Sequence, residues 1–222
     1  MECNKRIDMN KKIIYSLCGI VCGILIGLMW VWVGGSIYTT NKNHTLDVYR
    51  QRLELKYYGT KDTLVSAVDE YIQKMAPGSC LNGLTVVNEC EKHEIDLPFV
   101  LAQGRIESHF ATKGIASKTH SVFNVYSYDG ESAEDIKKSG HAYNHPDESV
   151  EPYIKLLKKY YLNDGKTEMD LMDKYVNFEG KRYAADKNYE SKLLSAYKDI
   201  HDSTSIDELW EKFMKYKMLA KK

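Results

Sequence analysis

One carboxylate in this sequence stands where a proton donor belongs. Glu107 lies in the run Phe99-Val-Leu-Ala-Gln-Gly-Arg-Ile-Glu-Ser-His-Phe110, whose apolar residues recur at helical spacing. Asp96 can cap the start of this helix, and Pro98 fits its first turn. Glu107 falls beside the apolar stripe, so we predict that it leans into a cleft. Partial burial there would raise its pKa and keep it protonated near neutral pH.

Two features of this helix leave alternatives open. Glu107 could instead be solvated, or paired with Arg105 or His109. Gly104, one turn earlier, costs about 1 kcal/mol of helix propensity relative to alanine. That cost indicates that another group approaches the helix backbone closely at Gly104. The approaching group could be either a sugar ring or a crossing helix.

The elements that must position Glu107 are mainly helices. Ser205 with Glu208 forms a capping box for a last helix, which carries Leu209, Trp210 and Phe213 on one face. Hydrophobic spacing predicts further helices over 63–75, 84–93, 150–161, 167–175 and 189–200. Residues 122–128 are rich in strand formers, and the next two, Asp-Gly, are a hairpin-turn signal. We therefore predict a small β-hairpin beside the acid helix.

Four short motifs together resemble the bacterial glucosaminidase family of peptidoglycan hydrolases, the autolysin and flagellar-muramidase type with a lysozyme-like fold. They are Ala102-Gln103, Ile106-Glu107-Ser108, Ser121-Val-Phe-Asn-Val125 and Tyr183-Ala-Ala-Asp-Lys-Asn-Tyr189. Their order and spacing follow the family pattern over about residues 80 to 200. Four positions depart from that pattern: Ser121, Asn124, Ala185 and Lys187 stand where the family usually has asparagine, glycine, threonine and proline.

The resemblance implies roles for eight residues. Glu107 would be the general acid that protonates the leaving oxygen, and Tyr183 would orient the reaction. The hairpin would supply a second carboxylate, with Glu131 favoured over Asp129, unless the substrate's own acetamido group takes that part. Core packing is the alternative role for the aromatic residues. The implied substrate-binding residues are Gln103, Phe123 as the cleft floor, Asn124, Asp129 and Tyr189.

A charge-free run at residues 13–33 is long enough to cross a bilayer core of about 30 Å. Basic residues precede it, so the positive-inside rule places the N-terminus in the cytoplasm and the catalytic domain outside. This predicts a single-pass protein of the cell membrane, and a cleaved signal peptide is the competing interpretation. Small residues every four positions would permit self-association of the membrane helix, namely Gly19, Gly23 and Gly27.

The predicted fold class is α+β, mainly α: a lysozyme-like domain with a small β-hairpin lobe, preceded by one N-terminal transmembrane helix. Tyr57-Tyr-Gly-Thr60 indicates a break before the domain, and residues 36–60 form either a stalk or a first helix. The predicted organisation is a cytoplasmic N-terminus over 1–12, a transmembrane anchor over 13–33, a stalk or linker over 34–60, a catalytic domain over 61–202 and a C-terminal amphipathic helix over 203–222.

Charge and cysteine content exclude several other classes. The chain has 31 basic and 31 acidic residues, and without a basic patch nucleic acid is not an expected partner. Cys80 and Cys90 could form a disulfide but need not. Neither lies in a small-residue nucleophile turn, which disfavours a Cys/His hydrolase. The histidines lack the paired spacings of a zinc-binding helix, so we expect no metal and no other cofactor.

We therefore expect a membrane-anchored glycoside hydrolase, of bacterial or phage origin, that cleaves the β-1,4 bonds of peptidoglycan glycan strands. The expected enzyme is of the endo-β-N-acetylglucosaminidase type, or muramidase-like, and works by general acid catalysis. The alternative is a catalytically weak glycan-binding or scaffolding domain of a cell-wall-spanning or phage lysis machine. The altered Ser121 and Asn124 positions leave that alternative open.

Overall fold

The computed structural model describes residues 2–125 and 132–220, and in its first helix it describes side chains only for residues 24–32 and from 44 onward. Over these residues the chain forms nine α-helices and one 3-10 turn, Pro146–Ser149, which leads into α6. The helices are α1 (Glu2–Met75), α2 (Gly83–His93), α3 (Leu97–Ser108), α4 (Ala116–Thr119), α5 (Ala133–Lys138), α6 (Val150–Tyr160), α7 (Glu168–Asp173), α8 (Tyr189–Ser203) and α9 (Ile206–Ala220).

The chain divides into two compact units, residues 1–54 and residues 55–222. In the first unit, the described residues of α1 include an exposed apolar stretch from Ile24 to Trp32. The side chains of the rest of the predicted span, residues 13–23 and 33, lie outside those that the structure describes. Within the described part of the chain, no helix is both long and apolar enough to cross a membrane. The prediction of a transmembrane helix over 13–33 is therefore wrong on this finding.

The predicted self-association through glycines gains no support from the described residues. Gly19 and Gly23 lie outside the part of α1 whose side chains the structure describes. A Cβ atom added at Gly27 would meet open space to a distance of 4 Å.

The second unit is built around α3, which packs along α8 and also contacts α2 and α9. Phe99 and Leu101 of α3 are buried, because the helix is surrounded on most of its circumference. The last helix belongs to this core, since the buried ring of Phe213 stacks on Tyr57 at 5.0 Å between centroids. Helix α1 runs through residues 57–60 without interruption, so the predicted break there is wrong.

The predicted β-hairpin lobe is also wrong over the described residues, where strand pairing is limited to an isolated antiparallel bridge between Val176 and Arg182. Residues 122–125 form turns in place of a strand. Their amides bond outside any sheet: Asn124 N donates to Ser121 O at 3.2 Å, and Val122 N donates to the hydroxyl of Ser149 at 3.1 Å. The β-branched and aromatic side chains of this segment are buried in the core without forming a strand. The described part of the domain is therefore all-α.

Candidate active site

Glu107 lies in the last turn of α3, and both ends of this helix are well defined. The Asp96 carboxylate accepts a hydrogen bond from Phe99 N at 3.0 Å at the helix start, which satisfies one free amide donor. The helix ends at His109, which adopts a left-handed conformation with φ of 46°. Glu107 is half-buried, and burial raises the pKa of its carboxyl from the ordinary 4.5 to about 7.

The segment after α4 is bonded directly to this end of α3. Asn124, itself left-handed with φ of 49°, donates from Nδ2 to the backbone carbonyl of Glu107 at 2.9 Å. The Ser108 hydroxyl donates to Val122 O at 2.7 Å. Among the described residues, the Oδ1 atom of Asn124 is buried without a hydrogen-bond partner. The segment thus holds an unused acceptor close to Glu107.

A tyrosine from α8 completes the immediate surroundings of the acid. Tyr189 is the first residue of α8, and its hydroxyl donates to Oε1 of Glu107. This hydrogen bond and the nearby Asn124 amide both favour the ionised carboxyl, but burial outweighs them. Tyr183 lies beside Tyr189, with ring centroids 5.6 Å apart, and its hydroxyl donates to Phe123 O at 3.1 Å.

Behind Tyr189 lies Gln103, which is 0% exposed. Its Nε2 donates to the Tyr189 hydroxyl at 3.1 Å. Its Oε1 accepts two hydrogen bonds, from the hydroxyls of Tyr153 and of Tyr175, the latter at 2.9 Å. Burial raises the pKa of both phenols well above the ordinary value. Sequence reasoning missed these two tyrosines, because nothing local distinguishes them among the 17 tyrosines of the chain.

The structure places the predicted site residues in three groups. Glu107, Asn124, Tyr183 and Tyr189 come together around the acid. Gln103 and Phe123 are interior residues, and Phe123, 1% exposed, stacks on Tyr153 at 3.8 Å and does not form an open cleft floor. The predicted second carboxylates, Asp129 and Glu131, lie outside the described residues.

The contacts of Glu107 and of Gly104 differ from two of the predictions made for this helix. Arg105 does not pair with Glu107, because its guanidinium donates to Asp199 and, at 3.1 Å, to the hydroxyl of Tyr71. The groups that approach the backbone of Gly104 closely are side chains of the same domain. A Cβ atom at this position would lie 3.1 Å from Val122 Cγ1 and 3.3 Å from the ring of Phe110. The glycine is therefore needed for internal packing.

No cysteine chemistry is set up at the described residues. Cys80 is exposed, Cys90 is buried, and the two are not bridged. Burial raises the pKa of the Cys90 thiol well above its ordinary value, and this disfavours the reactive thiolate.

Across the described ranges, one cluster has metal-ligand chemistry: Glu89, His93 and Glu151, with ligand atoms within 4.8 Å of one another. The Lys92 ammonium already donates to both of its carboxylates, at 3.3 Å and 2.7 Å. Lysine thus supplies the positive charge that an ion would bring to these carboxylates.

Comparison with known proteins identifies one family. A family model described as Glucosaminidase, mannosyl-glycoprotein endo-beta-N-acetylglucosaminidase, matches residues 84–202. This range contains α3 with Glu107 and continues through the start of α8 with Tyr189. Neither the curated proteins nor the solved structures contain a match to the chain.

Proposed function

The chain belongs to the glucosaminidase family, and we propose that it cleaves the β-1,4 bonds of peptidoglycan glycan strands as an endo-β-N-acetylglucosaminidase. The family makes the chain a glycoside hydrolase. The peptidoglycan substrate follows from the four motifs that resemble the bacterial cell-wall hydrolases. Since peptidoglycan lies outside the cytoplasmic membrane, we place the working domain there.

The observation that carries the proposal is the environment of Glu107. Hydrolysis of a glycosidic bond requires a proton for the leaving oxygen, so the acid must be protonated at the working pH. Burial holds the pKa of Glu107 at about 7, which keeps a large protonated fraction in mildly acidic and neutral solution. Glu107 is half-buried and not fully enclosed, and we propose that its carboxyl is reached by the substrate at the end of α3.

The remaining parts of the site have proposed roles that follow from their contacts. Tyr183, anchored by its hydroxyl to the Phe123 carbonyl, presents an aromatic face on which a sugar ring can stack. The Asn124 side chain, bonded through Nδ2 to the Glu107 carbonyl at 2.9 Å, holds the segment after α4 against the end of α3. We retain Glu131, with Asp129 as the alternative, as the group that activates water or attacks the sugar, unless the acetamido group of the substrate does so.

The test is a product analysis with the full chain. Purified peptidoglycan is incubated with the wild type, with Glu107→Gln and with the surface variant Glu134→Gln as a matched control. Mass spectrometry of the new reducing ends identifies the bond that is cut. We expect N-acetylglucosamine at the reducing end, unchanged cleavage by the control, and a loss of about 10²- to 10⁴-fold in Glu107→Gln.

Two results would overturn the proposal. Cleavage by Glu107→Gln at the wild-type rate would remove Glu107 from the acid role. Tight binding of peptidoglycan without any new reducing ends would replace the hydrolase by the glycan-binding alternative. A mannosyl glycoprotein, tested in parallel, would show whether the activity named in the family description belongs to this chain.

A further inference from the structure

We infer that Gln103 is a positioning residue that fixes the direction of the Tyr189 hydroxyl and thereby keeps the acid proton of Glu107 on Oε2. Gln103 was predicted to bind substrate, but its side chain is completely buried. Its contacts are instead with three phenols, contributed by α6, by the segment before α8 and by α8 itself. The catalytic part of this inference rests on the proposed function, whereas the hydrogen-bond geometry does not.

The direction of the network follows from the two ends of one amide group. A glutamine side chain has an oxygen that only accepts and an NH₂ that only donates. Here the oxygen is occupied by the hydroxyls of Tyr153 and Tyr175, both of which donate to it. The NH₂ must therefore point to Tyr189, to which it donates at 3.1 Å.

This orientation decides what Tyr189 can do. Because the Tyr189 oxygen accepts a proton from the amide of Gln103, its own proton is directed onward, and it is donated to Oε1 of Glu107. A carboxyl oxygen that accepts this bond is a poor place for the acid proton. The protonated form of Glu107 then carries its hydrogen on Oε2.

The alternative amide orientation shows why this matters. With the amide reversed, its oxygen would face Tyr189 and accept the phenol proton. Glu107 would then donate its own proton to Tyr189, away from the substrate. The two donor phenols, Tyr153 and Tyr175, oppose this reversal by holding the amide oxygen.

The same network acts on the ionisation of Glu107. The polar and titratable groups that face the carboxyl come from α6, α8 and the two connecting segments: Tyr153, Tyr175, Tyr183, Tyr189 and Asn124. Among these, the hydrogen bond from Tyr189 stabilises the ionised form. Weakening the hold of Gln103 on Tyr189 should therefore raise the pKa of Glu107, and activity should persist to higher pH.

The decisive variant is Gln103→Met, which keeps the length of the side chain and removes both polar ends. We expect kcat to fall by about 10-fold or more with KM within about 2-fold, because Gln103 is buried away from the substrate and a misplaced proton impairs the transition state. A hydrogen bond to a charged group is worth about 1 to 2 pH units of pKa. Partial loss of the Tyr189 bond should move the basic limb of the pH profile upward by about half a unit or more.

Two single variants provide an internal control series. Tyr153→Phe and Tyr175→Phe each leave one donor on the amide oxygen, so each alone should change the pH profile little. The double variant should shift it by more than the two single shifts added together, because only then is the amide free to turn. Tyr160→Phe, a hydroxyl removed from the same helix as Tyr153, is the matched control and should behave as the wild type.

A measurement independent of catalysis separates this inference from the proposed function. The pKa of the Glu107 carboxyl is measured by carbon-13 NMR of the full chain, with Glu107→Gln used to assign its resonance. An upward shift in Gln103→Met supports the inference even where no peptidoglycan is cleaved. An unchanged pKa in folded Gln103→Met, or a raised KM with unchanged kcat, would overturn it. Where Gln103→Met does not fold, the double tyrosine variant decides the same question.

Discussion

Replacing Glu107 with glutamine should stabilise the folded chain at pH 8 while it removes the proposed acid. Burial raises the pKa of this carboxyl from 4.5 to about 7, so the folded state binds the proton more tightly than the unfolded state. Wild-type stability is therefore highest below about pH 4.5 with respect to this group, and it falls as the pH rises to about 7. Glutamine resembles the protonated form at every pH and escapes this loss.

The size of the effect follows from the two pKa values. Each pH unit of difference corresponds to about 1.4 kcal/mol, so the full cost of ionising Glu107 in the folded state, over about 2.5 pH units, is about 3.5 kcal/mol. The amide introduced by the substitution can still accept a hydrogen bond from Tyr189, and the side chain keeps its length. We expect Glu107→Gln to exceed the wild type in unfolding free energy by about 2 to 3 kcal/mol at pH 8, and by little at pH 4.5.

Urea unfolding of the full chain, followed by circular dichroism at both pH values, measures this difference. Asp96 also has a pKa raised by burial to about 7, but it is present in both proteins and cancels in the comparison. Glu134→Gln, on the exposed surface of α5, should show no such pH dependence. A gain of equal size at both pH values, or a loss at pH 8, would refute the argument that burial makes the ionised form of Glu107 unfavourable.

Three further predictions concern packing, thiols and the second tyrosine. Gly104→Ala should lower the unfolding free energy by up to about 2 kcal/mol, since overpacking costs about 1 to 3 kcal/mol and helix propensity returns about 1; an unchanged melting temperature would contradict it. Mass-spectrometric thiol mapping should find Cys80 alkylated in the native chain and Cys90 only after unfolding, and early modification of both would be inconsistent with the fold. Tyr183→Phe should lower kcat by less than about 10-fold, the worth of one neutral hydrogen bond, and a loss as large as that of Glu107→Gln would give its hydroxyl a role in proton transfer.

Much of the helical architecture follows from local signals in the sequence. Asp96 was predicted to cap α3 and does so through Phe99 N. The predicted helices at 84–93 and 150–161 correspond within one residue to α2 and α6. These segments have clear caps and a regular apolar spacing, and such features act within a single turn of helix. The position of Glu107 at the end of α3 could therefore be read directly from the sequence.

The predicted hairpin failed for a physical reason that periodicity does not reveal. Val122, Phe123 and Val125 have the side chains of a strand, but each is buried by a turn that folds against α3. The hydroxyls of Ser108 and Ser149 bond the carbonyl and the amide of Val122, the groups that a neighbouring strand would otherwise bond. Strand propensity largely reports how well a residue fits a half-buried surface, and here a packed turn meets that condition.

The membrane prediction rested on the length and the absence of charge of residues 13–33. The structure describes side chains only for residues 24–32 of that run, and among the described residues no helix is both long and apolar enough to span a bilayer.

The link between Gln103 and Glu107 shows which part of the site was hidden. The two residues are four positions apart, so on α3 they lie on the same face one above the other. That spacing allows a single phenol, placed at the start of α8, to accept from the first and donate to the second. The sequence displays the spacing of the pair, but the phenol that joins them is 82 residues beyond Glu107. The four-residue spacing of Gln103 and Glu107 is therefore the only part of this arrangement that the sequence displays. It indicates that the two side chains belong to one hydrogen-bond chain and do not make two separate contacts with a sugar.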